Sequence, residues 1–136
     1  MKRLAIYADV NSLYYCLGKK YNKKLDYKKY LEFVRAQDVV IKALAYTDQD
    51  SPKFLDYLRH AGFTPRKADL VQSVLDFVRI IPKVDILILG SSDPALIPLI
   101  QWTVEQNVDC VIVSCGIPKE MRVTEYLEIP EEVCTT

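Results

Sequence analysis

The sequence predicts an α/β domain, a three-layer sandwich with helices on both faces of a mainly parallel sheet. Three observations carry that expectation. The runs Leu4-Ala5-Ile6-Tyr7-Ala8 and Ile86-Leu87-Ile88-Leu89 are continuously apolar rather than alternating, as in strands buried on both faces. Segments with helical spacing separate the strand-like runs along the whole chain. Both runs also end close to a carboxylate, Asp9 and Asp93, where the chain turns toward a helix. In open α/β sheets the carboxyl ends of the strands face the ligand crevice.

Residues 3–9 make the first strand, and a helix starts over Asn11 to Leu17. A segment rich in lysine and tyrosine follows, from Lys19 to Tyr30. Within it Asp26 caps a helix that runs to about Arg35 and turns Tyr30, Leu31 and Val34 inward. Val39 to Tyr46 reads as the second strand. Ser51-Pro52 opens a helix as N-cap and first-turn proline, and Gly62 stops it. Phe63 to Arg66 forms a short third strand. From Asp69 to Ile80 the apolar set Leu70, Val71, Val74, Leu75, Phe77 and Val78 has helical spacing. The set Asp69, Gln72, Ser73, Asp76 and Arg79 is expected on the opposite, polar side. The central strand follows, then a helix from Pro94 to Gln106 and a strand from Val108 to Ser114. Pro118 to Thr136 is ambiguous, with a short helix or strand at Glu125 to Ile129.

The chain has 136 residues, half of them hydrophobic, enough for one domain (1–136) with a real core. Its formal net charge is zero, so any nucleic-acid surface must be a local patch. No apolar run is long enough to span a membrane, and Met1-Lys2-Arg3 leads into a strand without a cleavable signal pattern. The four cysteines show no metal-binding spacing. Cys110 and Cys115 read as buried free thiols, and a reducing, cytoplasmic setting is expected. His60 sits near a helix C-terminus, where its role is structural. Tyr14, Tyr15 and Trp102 are expected to pack rather than to recognise a ligand. No phosphate-binding loop or dinucleotide glycine pattern is present.

The acids carry the chemistry. If the first and central strands are neighbours, about 4.8 Å apart, Asp9 and Asp93 can share a cation that relieves their mutual repulsion. Mg²⁺ suits such a pair, taking one or two carboxylates with water and phosphate oxygens. The implied reaction is metal-assisted attack of water on a phosphodiester. Each acid also has a plain structural role open to it. Asp9, Asp69 and Asp93 can cap helices, and Asp76 can pair with Arg79. The lysines Lys19, Lys20, Lys23 and Lys24, extended by Arg66 and Lys67, are the candidate RNA contacts. They serve equally as a solvated face.

Asp9-Val10-Asn11 after an apolar strand, and Ser91-Ser92-Asp93-Pro94-Ala95-Leu96-Ile97-Pro98-Leu99 after the central one, resemble the NYN domains. These are a branch of the PIN-like ribonucleases. The likeness spans residues 3–117, with Arg66-Lys67-Ala68-Asp69 and Asp76 in the family's acidic middle segment. Ser92 stands where the family has glycine, and Ala95 where it has a second aspartate. The resemblance implies a five-stranded sheet in the order 3-2-1-4-5, which places strand 1 beside strand 4. It implies a ribonuclease using Mg²⁺ or Mn²⁺, with Asp9, Asp93 and Asp69 or Asp76 as metal ligands. Asn11 then orients water or phosphate, and Ser91 and Ser92 donate to a phosphate or to Asp93. The alternative, supported by Ala95, is a catalytically weakened PIN-like module that binds RNA or a protein partner. A flavodoxin-like or receiver-like domain fits less well, since Lys119 is the sole candidate for a receiver's late lysine. A homodimer is a further implication of the resemblance.

Overall fold

The computed structural model describes residues 1–135. Its main sheet is built from β1 (Arg3–Asp9), β3 (Val39–Thr47), β4 (Thr64–Lys67), β5 (Ile86–Gly90), β6 (Asp109–Ser114) and β7 (Glu125–Glu128). The order is β4-β3-β1-β5-β6-β7, and every pairing is parallel. The expected order is present, with a sixth strand, β7, added at one edge. A separate antiparallel pair joins β2 (Lys24–Leu25) to β8 (Cys134–Thr135).

Helices α1 (Val10–Tyr21), α2 (Tyr27–Arg35) and α3 (Pro52–His60) cover one face of the sheet, and α4 (Leu70–Ile80) and α5 (Ile97–Glu105) cover the other. β1 lies in the middle and shows why both layers form. Ile6 and Ala8 enter the core under α1 and α2, while Ala5 and Tyr7 enter the core under α4 and α5. This is the two-sided burial that a continuous apolar run demands. Capping follows the chain's chemistry: Asp9, Asp26 and Asp69 accept backbone N–H bonds from Ser12, Lys29 and Gln72. Pro94–Leu96 forms a 3-10 turn capped by Asp93, so α5 begins at Ile97 rather than at Pro94.

Two close fits lock the strand that leads to the site. Tyr30, fully buried on α2, donates its hydroxyl to the Val113 carbonyl at 2.8 Å. To do so it passes over Gly90, where an added Cβ would lie 2.6 Å from the tyrosine oxygen. Only glycine allows that approach.

Helix α4 overturns its sequence reading. Ser73 and Asp76 are buried beside Phe77, while Leu70, Val71, Leu75 and Val78 are exposed. The inward side is fixed by polar contacts instead. Tyr7 donates to Ser73 at 2.8 Å and Tyr46 donates to Asp76 at 2.7 Å. The cysteine expectation also changes. Cys16 on α1 and Cys115 after β6 are paired, with Cα atoms 6.0 Å apart, a separation that a disulfide spans. Cys110 and Cys134 are the buried free thiols. No helix among the described residues is long and apolar enough to cross a membrane.

Candidate active site

The carboxyl ends of β1, β3, β4 and β5 open onto one cleft of about 470 Å³. Ala8 lies opposite Gly90 across the β1–β5 ladder, so Asp9 and the Ser91-Ser92-Asp93 turn leave the sheet side by side. The cleft is walled by Asp9, Asn11, Ser12, Tyr15 and Cys16 from the β1–α1 segment. Ser92 and Asp93 come from the turn after β5, and Ala68 and Asp69 from the turn before α4. Tyr7 and Tyr46 form its floor, their rings 4.8 Å apart.

Hydrogen bonds set the posture of the acids. Asp9 takes the Ser91 hydroxyl on Oδ2 at 2.8 Å and the Ser12 N–H on Oδ1 at 3.2 Å. Ser91 in turn accepts the Asp93 N–H at 3.1 Å, so one serine couples both strand ends. Ser12 and Ser92 bond hydroxyl to hydroxyl at 2.7 Å. Asp93 is exposed and spends Oδ1 on the Ala95 N–H at 3.0 Å. Burial pushes the Asp9 carboxyl above its usual range. The bonds from Ser91 and Ser12 oppose that shift, and the charges of Asp93 and Asp48 reinforce it. Burial also pushes the Tyr7 phenol up to about 12, so its hydroxyl stays protonated and remains a donor.

Asp9, Asn11, Asp69, Ser92 and Asp93 are thus brought to one cleft, with Ser91 just beneath. Asp76 is not. It lies on the inward side of α4 behind Tyr46, outside the cleft lining, and is held by Arg66 at 2.9 Å, by Gln72 at 2.9 Å and by Tyr46. Its partner is Arg66, not Arg79. Burial pushes the Asp76 carboxyl up, but these bonds and the Arg66 charge outweigh that and leave it below its usual value. A lowered carboxyl contributes stability above its unfolded value and loses it as pH falls through the folded one. Arg66→Ala is therefore expected to cost about 1–2 kcal/mol at neutral pH, discounted because Arg66 is part exposed. It should also move the acid-unfolding midpoint, followed by circular dichroism, to higher pH. An unchanged midpoint would refute the coupling.

The basic candidates divide. Lys20 and Lys23 are ion-paired with Glu128 and Glu131. Arg66 and Lys67 line a neighbouring hollow with Asp48 and Asp50 rather than the acid cleft. His60 bonds the Asp56 carbonyl at the end of α3. Trp102 packs against the core as expected, whereas Tyr14 and Tyr15 stand exposed. Sequence reasoning passed over Asp48, which accepts the Asn11 amide at 2.9 Å. The signal was present in the chain, because Asp48 follows β3 as Asp9 closes β1.

The donor set suits one kind of cation. Among the described residues no group of three or more acids, histidines or cysteines is close enough to cage a metal. A hydrated Mg²⁺ or Mn²⁺ needs only one or two carboxylates, with water and phosphate supplying the rest. Asp9 and Asp93 provide that much, with Asp69 across the same cleft. Ala95, the departure from the family's second aspartate, is exposed in the turn beside the cleft.

Comparison with known proteins agrees with this fold. The family model for the NYN domain matches residues 3–128. A crystal structure of a Vibrio parahaemolyticus protein of unknown function superposes with a TM-score of 0.89 at 22% identity. The match covers 98% of this chain and 96% of that one, and it shows a shared fold. No curated protein sequence matches the chain.

Proposed function

The chain belongs to the NYN domain family, within the PIN-like nuclease superfamily, and from that premise we propose that it is a metal-dependent ribonuclease. The observation that carries the reading is the Asp9–Ser91–Asp93 linkage, in which Ser91 holds the Asp9 carboxylate and the Asp93 backbone N–H together at one cleft that both acids line. Asp9 and Asp93 would hold a Mg²⁺ or Mn²⁺, with Asp69 reaching it through water. The cation would neutralise charge and polarise a phosphoryl oxygen. Asp9, half-buried and raised, would take the proton of a water attacking the phosphorus in line, as the P–O bond to the leaving ribose oxygen breaks and that oxygen takes a proton from solvent. Asn11 keeps its amide donor on Asp48 and has its amide oxygen left to accept from a water in the cleft it lines. The Ser12–Ser92 pair, bonded hydroxyl to hydroxyl, keeps one O–H proton free to offer to a phosphate oxygen.

The test is cleavage of a labelled RNA mixture with Mg²⁺ or Mn²⁺, with and without chelator, beside Asp93→Asn. Metal-dependent cleavage that falls at least about 100-fold in the variant supports the reading. Equal inactivity of wild type and variant, with RNA still bound, would replace it by the weakened binding module.

A further inference from the structure

The acid cleft does not end at its acids. Asn11, Tyr15 and Lys19 sit four residues apart on α1, so their side chains form one row with steps of about 6 Å. Asn11 and Tyr15 wall the acid cleft. Tyr15 and Lys19 also wall a second hollow, completed by Tyr14, Gly18, Lys23 and Lys24. Tyr15 is the partition between the two.

Three features of that second hollow serve no evident purpose in the fold. Tyr15 is 76% exposed and Tyr14 53%. Their rings meet edge to face at 5.6 Å, and neither hydroxyl has a hydrogen-bond partner among the described residues. Gly18 lies one turn further along, and an added Cβ there would meet nothing within 4 Å. A glycine inside a helix costs roughly 0.5–1 kcal/mol against alanine, yet here no packing requires it. It leaves an open trough beside the rings. Finally, Lys20 and Lys23 are paired with glutamates, while Lys19 and Lys24 form no ion pair among the described residues.

Exposed aromatic faces beside unneutralised lysines are the chemistry of single-stranded nucleic acid, whose bases stack and whose phosphates seek cations. A duplex offers no free base to stack. We propose that Tyr14, Tyr15, Gly18, Lys19 and Lys24 form a subsite for unpaired RNA, with a base stacked on Tyr15 and flanking phosphates on Lys19 and Lys24. The placement beside the cleft rests on the nuclease reading, since it presents the adjoining phosphate to Asp9 and Asp93. With the chain neutral overall, stacking rather than long-range attraction supplies most of the affinity.

The experiment is fluorescence anisotropy with a labelled 12-nucleotide oligoadenylate and its duplex, in chelator, across a salt series. Wild type should bind the single strand more tightly than the duplex. Tyr15→Ala, a change at an exposed position, should weaken binding about 10–100-fold, and Tyr15→Phe should restore it. The double variant Lys19→Ala/Lys24→Ala should flatten the salt dependence by about 1.4 in slope. Wild type that fails to bind, equal affinity for duplex, or Tyr15→Ala binding like wild type each overturns the subsite. The two readings fail separately. RNA held through Tyr15 but never cut leaves the subsite and removes the nuclease. RNA cut by wild type but not by Asp93→Asn, with Tyr15→Ala binding unchanged, does the reverse.

Discussion

Asp9→Asn is expected to abolish cleavage and, at the same time, to make the protein more stable. The loss of rate should be about 10²–10³-fold, the scale of removing one preorganised polar group from a reacting centre. The gain follows from the acid's surroundings. Asp9 is raised first by burial and further by the charges of Asp93 and Asp48, against the pull of Ser91 and Ser12. A carboxyl raised in the folded state contributes stability that is full below its unfolded value. That contribution is lost as pH rises through the folded value, so at neutral pH the ionised Asp9 is a cost. Asparagine is as good an N-cap as aspartate and can keep the Ser12 N–H, while its amide nitrogen can face the Ser91 oxygen. The variant should gain about 1 kcal/mol, or roughly 3–6 °C in Tm. Added Mn²⁺ should stabilise wild type more than the variant. Activity lost together with stability would instead mark Asp9 as a structural residue.

Tyr30→Ala should be the most damaging single change to the fold. It empties a fully buried site under Gly90 and strands the Val113 carbonyl. Losses of about 3–5 kcal/mol accompany such truncations of buried aromatics, or roughly 10–20 °C in Tm. Tyr30→Phe removes only the hydroxyl and should cost about 1 kcal/mol. Gly90→Ala drives a methyl to 2.6 Å from that same hydroxyl. The pair Gly90→Ala/Tyr30→Phe should therefore lose less than the sum of its single changes. Strict additivity in urea unfolding would show that the two residues do not press on one another.

What the chain disclosed in advance was what short-range chemistry controls. β1 and β5 announce themselves as unbroken apolar runs, and Pro52 and Gly62 bracket α3. Asp9 and Asp93 could be expected at one edge because both follow central strands. The facing of α4 was illegible for the opposite reason. Its inward side is chosen by Tyr7 and Tyr46, residues far away in sequence, with Arg66 from the preceding strand, and their polar contacts outweigh the exposed stripe of Val71, Leu75 and Val78. β7 is an edge strand, Glu-Tyr-Leu-Glu, whose composition suits solvent as well as a sheet. The pairing of Cys16 with Cys115 depends on the path of the sheet between them and has no local signature. Asp48 was passed over, though its place after β3 obeys the rule that identified Asp9.

The central position of β1 also imposes an order in time. A ribosome delivers the chain N-terminus first, so β1, β3 and β4 can assemble once Lys67 has emerged. The other margin of β1 waits for Ile86 to Gly90, since Leu4 pairs with Ile86. Until then the nascent sheet offers an unpaired apolar border, the kind that recruits other chains into aggregates. The interval between Lys67 and Gly90 is therefore when that margin of β1 stays open. Asp9 and Asp93 first meet after that, once the turn following Gly90 has emerged.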